Sequence, residues 1–158
     1  MIQVRNAIEA DRLDLFKLAV LMHRETDFAG LNFDARKAVD RIGDWIVGPD
    51  KLMAVAVDGD EVVGMLAATR GKPWFSNDLM LSEDLFFVRE SHRGGRTAYR
   101  LMQHFMGWAS LARVTHVRAG IATGEPGKGA ARLYEHFGFR CVGGSYSLFP
   151  DYSMEKAR

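Results

Sequence analysis

The feature that most constrains the fold is an apolar run followed by paired glycines and a long amphipathic pattern. The run Leu85-Phe86-Phe87-Val88 has no polar interruption, which is typical of a strand covered on both faces. Beyond Gly94-Gly95, apolar residues recur every three or four positions from Ala98 to Ala112. The sequence therefore predicts a central strand over 79–88, then a tight loop, and then a helix that packs on the sheet.

The loop between this strand and this helix has the composition of an anion-binding site. Two glycines let the backbone turn tightly and approach a ligand, and the first amides of the following helix have no partner within that helix. Arg93 and Arg96 add positive charge on either side of Gly94-Gly95. The same residues also suit an ordinary strand-to-helix turn with solvated arginines, so the loop alone leaves both interpretations open.

The rest of the sequence alternates between strand and helix patterns. Alternating runs predict strands over 2–7, 53–57, 61–69, 114–122, 139–142 and 146–154, and periodic apolar positions predict helices around 15–22, 35–46 and 128–137. Asp58-Gly59-Asp60, between the second and third strands, is a strong hairpin signal because these residues tolerate positive φ. The expected order is βααβββαβαββ. Since we find no repeat or linker, we expect one domain over residues 1–158.

Composition and charge exclude several classes of function. The 21 basic and 20 acidic side chains nearly cancel, so no overall field favours nucleic acid or an acidic membrane surface. No apolar run approaches the ~20 residues that span a bilayer, and the start of the chain lacks a signal-peptide pattern. The lone Cys141 cannot form an internal disulfide, and we expect it in the core. We therefore expect a cytoplasmic protein without nucleic-acid or membrane partners. The histidines lack metal-ligand spacing, which predicts no metal.

Two segments together resemble a known family. The segment Arg93-Gly94-Gly95-Arg96-Thr97-Ala98, which follows a strand and opens a helix, is similar to the GNAT signature Arg/Gln-x-x-Gly-x-Gly/Ala. Downstream, the residues from Ala130 to Phe139 are similar to the second signature, Ala-x-x-Leu-Tyr-x-x-x-Gly-Phe. The chain thus resembles the GNAT superfamily of acetyl-CoA-dependent N-acetyltransferases. The resemblance implies an α/β (α+β) fold with a central mixed, mostly antiparallel sheet of six to seven strands and about four helices.

The resemblance also implies where acetyl-CoA, the co-substrate, would bind. Its pantetheine arm is expected in a gap between the strand before the loop and the next strand, and its pyrophosphate in the loop. The implied cofactor-binding residues are Phe86, Phe87, Val88, Arg93, Gly94, Gly95, Arg96, Thr97 and Ala98. The sequence departs from the family at Arg96, where glycine is usual, and at Gly127, where asparagine is frequent. If the Arg96 position needs positive φ, we expect Gly95 to supply that freedom, with the Arg96 amide and guanidinium still contacting phosphate.

Three residues are candidates for proton transfer. Tyr134 matches the family's acid position, from which a hydroxyl would protonate the leaving thiolate, although a core tyrosine would fit the same place. Glu83 and Asp84, on the strand before the loop, are candidate bases for the attacking ammonium, directly or through water. Strand alternation points only one of them at the site, and a bulge decides which. We prefer Glu83, while a solvent-facing role fits either carboxylate equally well.

The implied acceptor is an amine, on a small molecule or a peptide. In this family the acceptor meets the first two helices, the loop between them and the last hairpin. The acidic and aromatic residues there, and one in the loop before the central strand, are Glu25, Asp27, Phe28, Phe33, Trp74, Tyr146 and Phe149. Two alternatives stay open: a GNAT-like module that binds acyl-CoA without turnover, and a homodimer through the terminal strands.

Overall fold

A mixed sheet with strands in sequence order forms the centre of the protein. The computed structural model describes residues 1–120, 128–144 and 146–150. Within them the strands are β1 (Gln3–Asn6), β2 (Lys51–Asp58), β3 (Glu61–Gly71), β4 (Met80–Val88) and β5 (His116–Arg118), and the helices are α1 (Arg12–Glu25), α2 (Ala35–Val47), α3 (Arg96–Leu111) and α4 (Lys128–His136). Strands β1 to β4 pair antiparallel, and β5 lies parallel to β4 at the edge.

The hairpin between β2 and β3 confirms its turn signal. Asp58 pairs with Glu61 across the turn, and Gly59 has φ +60, which an L side chain adopts only with strain. The two strands are buried along most of their length because both faces of the sheet are covered. The local sequence thus determines the register of the central hairpin.

Helices cover the two faces of the sheet with separate apolar clusters. On one face α3 contributes Leu101, Met102 and Phe105, all fully buried, and residues of α4 pack against the same cluster. On the other face α1 contributes Leu15 and Leu18, and α2 contributes Ile42. Each such side chain stabilises the fold by about 1.5–3 kcal/mol relative to its exposed state. The sheet is therefore a fixed platform between two layers.

Residues next to two helices explain where these helices begin or end. The Asp34 carboxylate accepts a hydrogen bond from the backbone N–H of Lys37 at 3.0 Å, so Asp34 caps α2. Beyond the end of α4, Gly138 has φ +84 and reverses the chain. The Phe139 N–H then donates to the Tyr134 carbonyl at 3.0 Å, which returns the chain toward the sheet.

The predicted strands after α4 are wrong for the residues that the structure describes. Residues 139–144 and 146–150 contain no strand, and 151–154 lie outside the described residues. β5 covers only three of the residues 114–122, of which 121 and 122 are also outside. Alternation shows which face a strand could bury, but a strand also needs an adjacent backbone edge. The described sheet therefore has five strands rather than six to seven. The predicted order of strands and helices holds for the first nine elements of the chain, β1 to α4.

Cys141 lies in this C-terminal segment and is exposed, so its expected core position is wrong. Its thiol donates to the carbonyl oxygen of Gly143 at 3.3 Å. The expectation depended on a strand at 139–142, and without that strand no layer of the described structure covers the side chain.

Candidate active site

A gap opens where β4 and β5 separate. The two strands pair only at Met80 with His116, Leu81 with Val117 and Ser82 with Arg118. β4 then continues through residues 83–88, and no described residue pairs with it on that side. The unpaired edge of β4 therefore borders the gap, which is where the pantetheine arm is expected.

Tyr134 and Glu83 meet at the point of separation. Glu83 is the first β4 residue beyond the paired region, and its Oε2 lies 2.7 Å from the Tyr134 hydroxyl. The same hydroxyl lies 2.9 Å from the carbonyl oxygen of Gly120, just past β5. Phe139 supports the tyrosine ring edge-on, with centroids 5.6 Å apart. The hydroxyl thus bridges the two strands, and its single proton serves one acceptor at a time.

The electrostatics of this pair suit proton transfer. Burial raises the pKa of Glu83 from 4.5 to about 7, although hydrogen bonds from Tyr134 and the Gly120 backbone lower it. The nearby Asp84 charge raises it slightly further. Burial, together with the Glu83 charge, raises the pKa of Tyr134 above its usual value. Near neutral pH the carboxyl therefore exchanges protons readily while the phenol stays protonated.

A bulge in β4 decides which carboxylate reaches Tyr134. In the pairing with β3, Ala68 is opposite Glu83 and Ala67 is opposite Leu85, so Asp84 is the extra residue. Glu83 consequently faces the side of α3 and α4, whereas Asp84 faces α2. Of the two candidate bases, the structure brings only Glu83 to Tyr134.

Asp84 makes its contacts on the opposite face of the sheet. Its Oδ2 accepts from Trp45 Nε1 of α2 at 2.9 Å and from Thr69 Oγ1 of β3 at 2.5 Å. Sequence reasoning missed Trp45, Thr69 and Gly120. Nothing in their local sequence marks them, because each acts through a partner distant along the chain.

The glycine loop has an open backbone at the start of α3. Gly94 has φ +76, and Gly95, the N-cap of α3, has φ −100. A Cβ at Gly94 would meet nothing within 4 Å, and one at Gly95 would reach only the carbonyl oxygen of His92, at 4.0 Å. Gly95 has no side chain to cap the first helical amides, so these amides are available to an anion. The loop therefore fits a pyrophosphate.

The expectation that Gly95 supplies the positive φ is wrong, because Gly94 has it. Arg96 is the first residue of α3, and Arg113 is the only non-glycine residue with positive φ in the described part of the chain. Arg96 is therefore unstrained, and its departure from the family pattern costs no backbone energy. Thr97 is buried and Ala98 packs on the core, so only their backbone faces the loop.

Arg93 is occupied by protein groups. Its Nε donates to the Val88 carbonyl at 2.8 Å, and its Nη2 lies 2.5 Å from Glu25 Oε2 at the end of α1. Its guanidinium also lies 5.3 Å from the centroid of the Phe87 ring. Arg93 thus fastens the loop to α1, whereas the Arg96 side chain is exposed at the start of α3.

The three predicted lining residues of β4 divide between the two faces. Phe86 and Val88 pack on the α3 side with Tyr134. The Phe87 side chain is buried on the α1 and α2 side, so only its backbone can border the gap. The unpaired part of β4 therefore runs from the Tyr134–Glu83 pair to the glycine loop before α3.

The model of the acetyltransferase (GNAT) family matches residues 18–139, well over half of the chain. This chain belongs to the GNAT acetyltransferase family. The matched region contains both signature segments, so the resemblance inferred from the motifs is confirmed. No curated protein matches the sequence at a significant level.

Many solved structures are similar to this GNAT protein, and three of them illustrate the likeness. A transcriptional regulator from Bacillus halodurans C-125 has a TM-score of 0.74 at 17% identity, covering 94% of this chain and 99% of its own. An integron cassette protein from the mobile metagenome of Cole Harbour Salt Marsh has a TM-score of 0.74 at 22% identity, and the match covers 96% of this chain and 91% of that protein. An aminoglycoside 6'-N-acetyltransferase from Acinetobacter haemolyticus has a TM-score of 0.70 at 14% identity, and the match covers 96% of this chain and 99% of that protein. At these identities the likeness shows the fold alone.

Only some of the candidate acceptor-binding residues of the GNAT protein pack near α1 and the turn that follows it. Phe149 lies against Gly30 in the turn after α1, where a Cβ would come within 2.9 Å of its ring. Phe33 packs on His23 of α1 with centroids 5.1 Å apart. Others stay apart or exposed: Glu25 binds Arg93, Phe28 is half exposed, Asp27 is exposed on the same turn, and Trp74 and Tyr146 are almost fully exposed.

No group of three or more His, Cys, Asp or Glu side chains in residues 1–120, 128–144 and 146–150 could hold a metal ion. None of the described helices has the length and apolar character needed to cross a bilayer.

Proposed function

We propose that this GNAT protein transfers the acetyl group of acetyl-CoA to an amine by direct attack, within one domain over residues 1–158. The observation that carries the proposal is the contact of Tyr134 with Glu83 at 2.7 Å, where β4 and β5 separate. This position places a proton donor and a proton acceptor beside the gap that borders the glycine loop. Family membership supplies the reaction class, and the pair supplies the proton transfers.

The chain's own residues suit acetyl-CoA along the whole gap. The free amides at Gly95 and Arg96 and the Arg96 guanidinium bind the pyrophosphate, while Phe86 and Val88 border the pantetheine arm. The unpaired β4 backbone donates to the thioester carbonyl and stabilises the charge that develops on its oxygen. Acetyl-CoA supplies the thioester, whose carbonyl carbon the amine attacks.

Glu83 and Tyr134 divide the proton transfers between them. Glu83, whose pKa is about 7, takes a proton from the ammonium, directly or through water, and the free amine then attacks. The new C–N bond forms and the C–S bond breaks, and Tyr134 donates its proton to the leaving sulfur. Protonated Glu83 returns a proton to Tyr134 across their hydrogen bond. The nitrogen loses two protons in all: one is accounted for by the CoA thiol, and the other leaves to solvent.

A thiol-release assay tests this function. Native protein is mixed with acetyl-CoA and a panel of small amines and peptides, and free CoA is measured beside Tyr134→Phe and Glu83→Gln. Matched controls are Tyr99→Phe, on the α3 surface, and Glu9→Gln, which pairs with Arg12 far from the gap. We expect release with native protein and both controls, and a loss of about 100-fold in the two site variants. Equal rates in all five proteins would refute the assigned roles.

The alternative, a module that binds acyl-CoA without turnover, rested on Arg96 in place of glycine and on Gly127 in place of asparagine. Arg96 has a helical backbone at the start of α3 and carries no strain that would weaken the loop. Gly127 lies outside the described residues. Binding of acetyl-CoA without release on any acceptor would favour the module. The acceptor class, a small amine or a peptide, is decided by the same panel.

A further inference from the structure

Asp84 stands out because it is the extra residue of the β4 bulge and its side chain is held from two directions. Trp45 donates from α2 at 2.9 Å and Thr69 donates from β3 at 2.5 Å, both to Oδ2. Thr69 lies one residue past Ala68, the partner of Glu83, so the two donors hold the bulge from the neighbouring strand and from the covering helix. The reaction proposed above does not use any of these three side chains.

The bulge determines the direction of Glu83. In a regular strand, side chains two apart share a face, so Glu83 would face the same side as Leu85 and Phe87, which pack toward α1 and α2. The extra residue reverses this alternation, and Glu83 instead faces the side of Phe86, Val88 and Tyr134. Leu81, two residues before Glu83, also packs on that side, so the bulge is what places Glu83 on the same face as Phe86 and Val88. Without the bulge, Glu83 and these two residues would face opposite sides of the sheet.

A bulge also leaves one residue outside the regular ladder of hydrogen bonds. The Asp84 carboxylate partly compensates for the lost ladder hydrogen bonds by accepting two side-chain hydrogen bonds. Hydrogen bonds to a charged acceptor are stronger than those between neutral groups. We propose that Asp84 is a positioning residue whose contacts with Trp45 and Thr69 fix the bulge and thereby keep Glu83 directed at Tyr134. This inference rests on the proposed acetyl transfer for its effect on rate, but its structural part can be measured without turnover.

The decisive variants keep the Asp84 charge and remove its donors. Thr69→Val is nearly isosteric, and Trp45→Phe keeps a smaller aromatic ring without the N–H donor. Their combination deletes both hydrogen bonds while the carboxylate remains. Asp84→Asn removes the charge and keeps the shape. The matched control is Asp50→Asn, which weakens the contacts of another exposed carboxylate with Arg70, the β3 residue after Thr69.

The first measurement is the titration of the Glu83 carboxyl by NMR with labelled glutamate, assigned through Glu83→Gln. In native protein we expect a pKa of about 7, because the Glu83 carboxyl is largely shielded from water beside the gap. In the double variant we expect the pKa to move toward 4.5, since a released carboxyl becomes solvated, while Asp50→Asn leaves it unchanged. An unchanged Glu83 titration in both Thr69→Val and the double variant overturns the inference, whatever their melting temperatures.

The second measurement is steady-state kinetics. We expect kcat to fall about tenfold or more in the double variant, with the KM for acetyl-CoA within about twofold, because the glycine loop is untouched. A fall in melting temperature without a change in kcat would mean that the contacts serve stability only and would overturn the inference. If native protein shows no turnover, the proposed function fails separately, and the NMR titration still decides whether Asp84 positions Glu83.

Discussion

The hydroxyl of Tyr134 lies 2.7 Å from Oε2 of Glu83, although the two residues are 51 positions apart in the chain. Helix α4 supplies the phenol and β4 supplies the carboxylate, and they meet beside the unpaired edge of β4. Burial raises the pKa of both groups, so the phenol remains a proton donor while the carboxyl titrates near neutrality. This relationship leads to the first two predictions.

The rate of acetyl transfer should depend on the ionisation of Glu83. Because the base must be deprotonated, we expect kcat/KM to rise with pH through an apparent pKa near 7. Initial rates from about pH 5.5 to 8.5 measure this profile. Glu83→Gln should remove the inflection and lower the rate, whereas Glu9→Gln should keep it. A native profile that is flat across neutrality would contradict a titrating base.

The free energy of unfolding should also depend on pH through the ionisation of Glu83. The pKa of Glu83 is raised in the folded state, so between about pH 4.5 and 7 the folded protein holds a proton that the unfolded chain has released. The stability that this proton contributes is full below pH 4.5 and is lost as pH rises through 7. Relative to Glu83→Gln, we expect native protein to lose about 1–3 kcal/mol of unfolding free energy across this range. Urea unfolding of both proteins at several pH values measures the difference, and parallel pH curves would argue against a buried carboxyl.

The pairing of Arg93 with Glu25 should matter more for the cofactor than for stability. Both side chains are partly exposed, so their ion pair contributes about 1 kcal/mol or less. It nonetheless fastens the glycine loop to α1, and Glu25→Gln should therefore weaken acetyl-CoA binding several-fold with little change in melting temperature. Calorimetric titration with acetyl-CoA measures the affinity. Asp50→Asn, which weakens a similar pair with Arg70, is the control and should bind normally.

The two glycines of the loop should respond differently to alanine. Gly94→Ala forces a side chain into φ +76 and should cost about 1–2 kcal/mol of unfolding free energy. Gly95→Ala has an allowed φ of −100 and open space, so the fold should tolerate it. Its methyl group would instead enter the space in front of the α3 amides and weaken acetyl-CoA binding. Thermal unfolding and calorimetric titration of both variants separate the effects, and the opposite assignment would contradict the loop geometry.

Much of the fold was predictable because its causes are local. Asp58-Gly59 determined the central hairpin, Asp34 capped α2, and Gly138 ended α4, since each depends on the conformational preferences of adjacent residues. The strands expected at 139–142 and 146–154 are absent from the described residues of this region, 139–144 and 146–150, because a strand depends on a partner edge as well as on alternation. Local sequence patterns therefore predicted best those turns and helix ends whose backbone hydrogen bonds form between residues close together in the chain.

The sequence by itself determined the family, through two motifs in order. It also predicted that the glycine loop and Tyr134 belong to one site. It left open which of Glu83 and Asp84 would face Tyr134, because a bulge is not visible in the alternation of side chains. The tertiary structure decided this contact through the pairing of β3 with β4, which makes Asp84 the extra residue, and Asp84 instead binds Trp45 and Thr69. The tertiary structure also determined the partner of Arg93, which is Glu25, 68 residues away in the sequence. Both outcomes follow from contacts between distant segments, whose geometry exists only once the sheet and its covering helices have assembled.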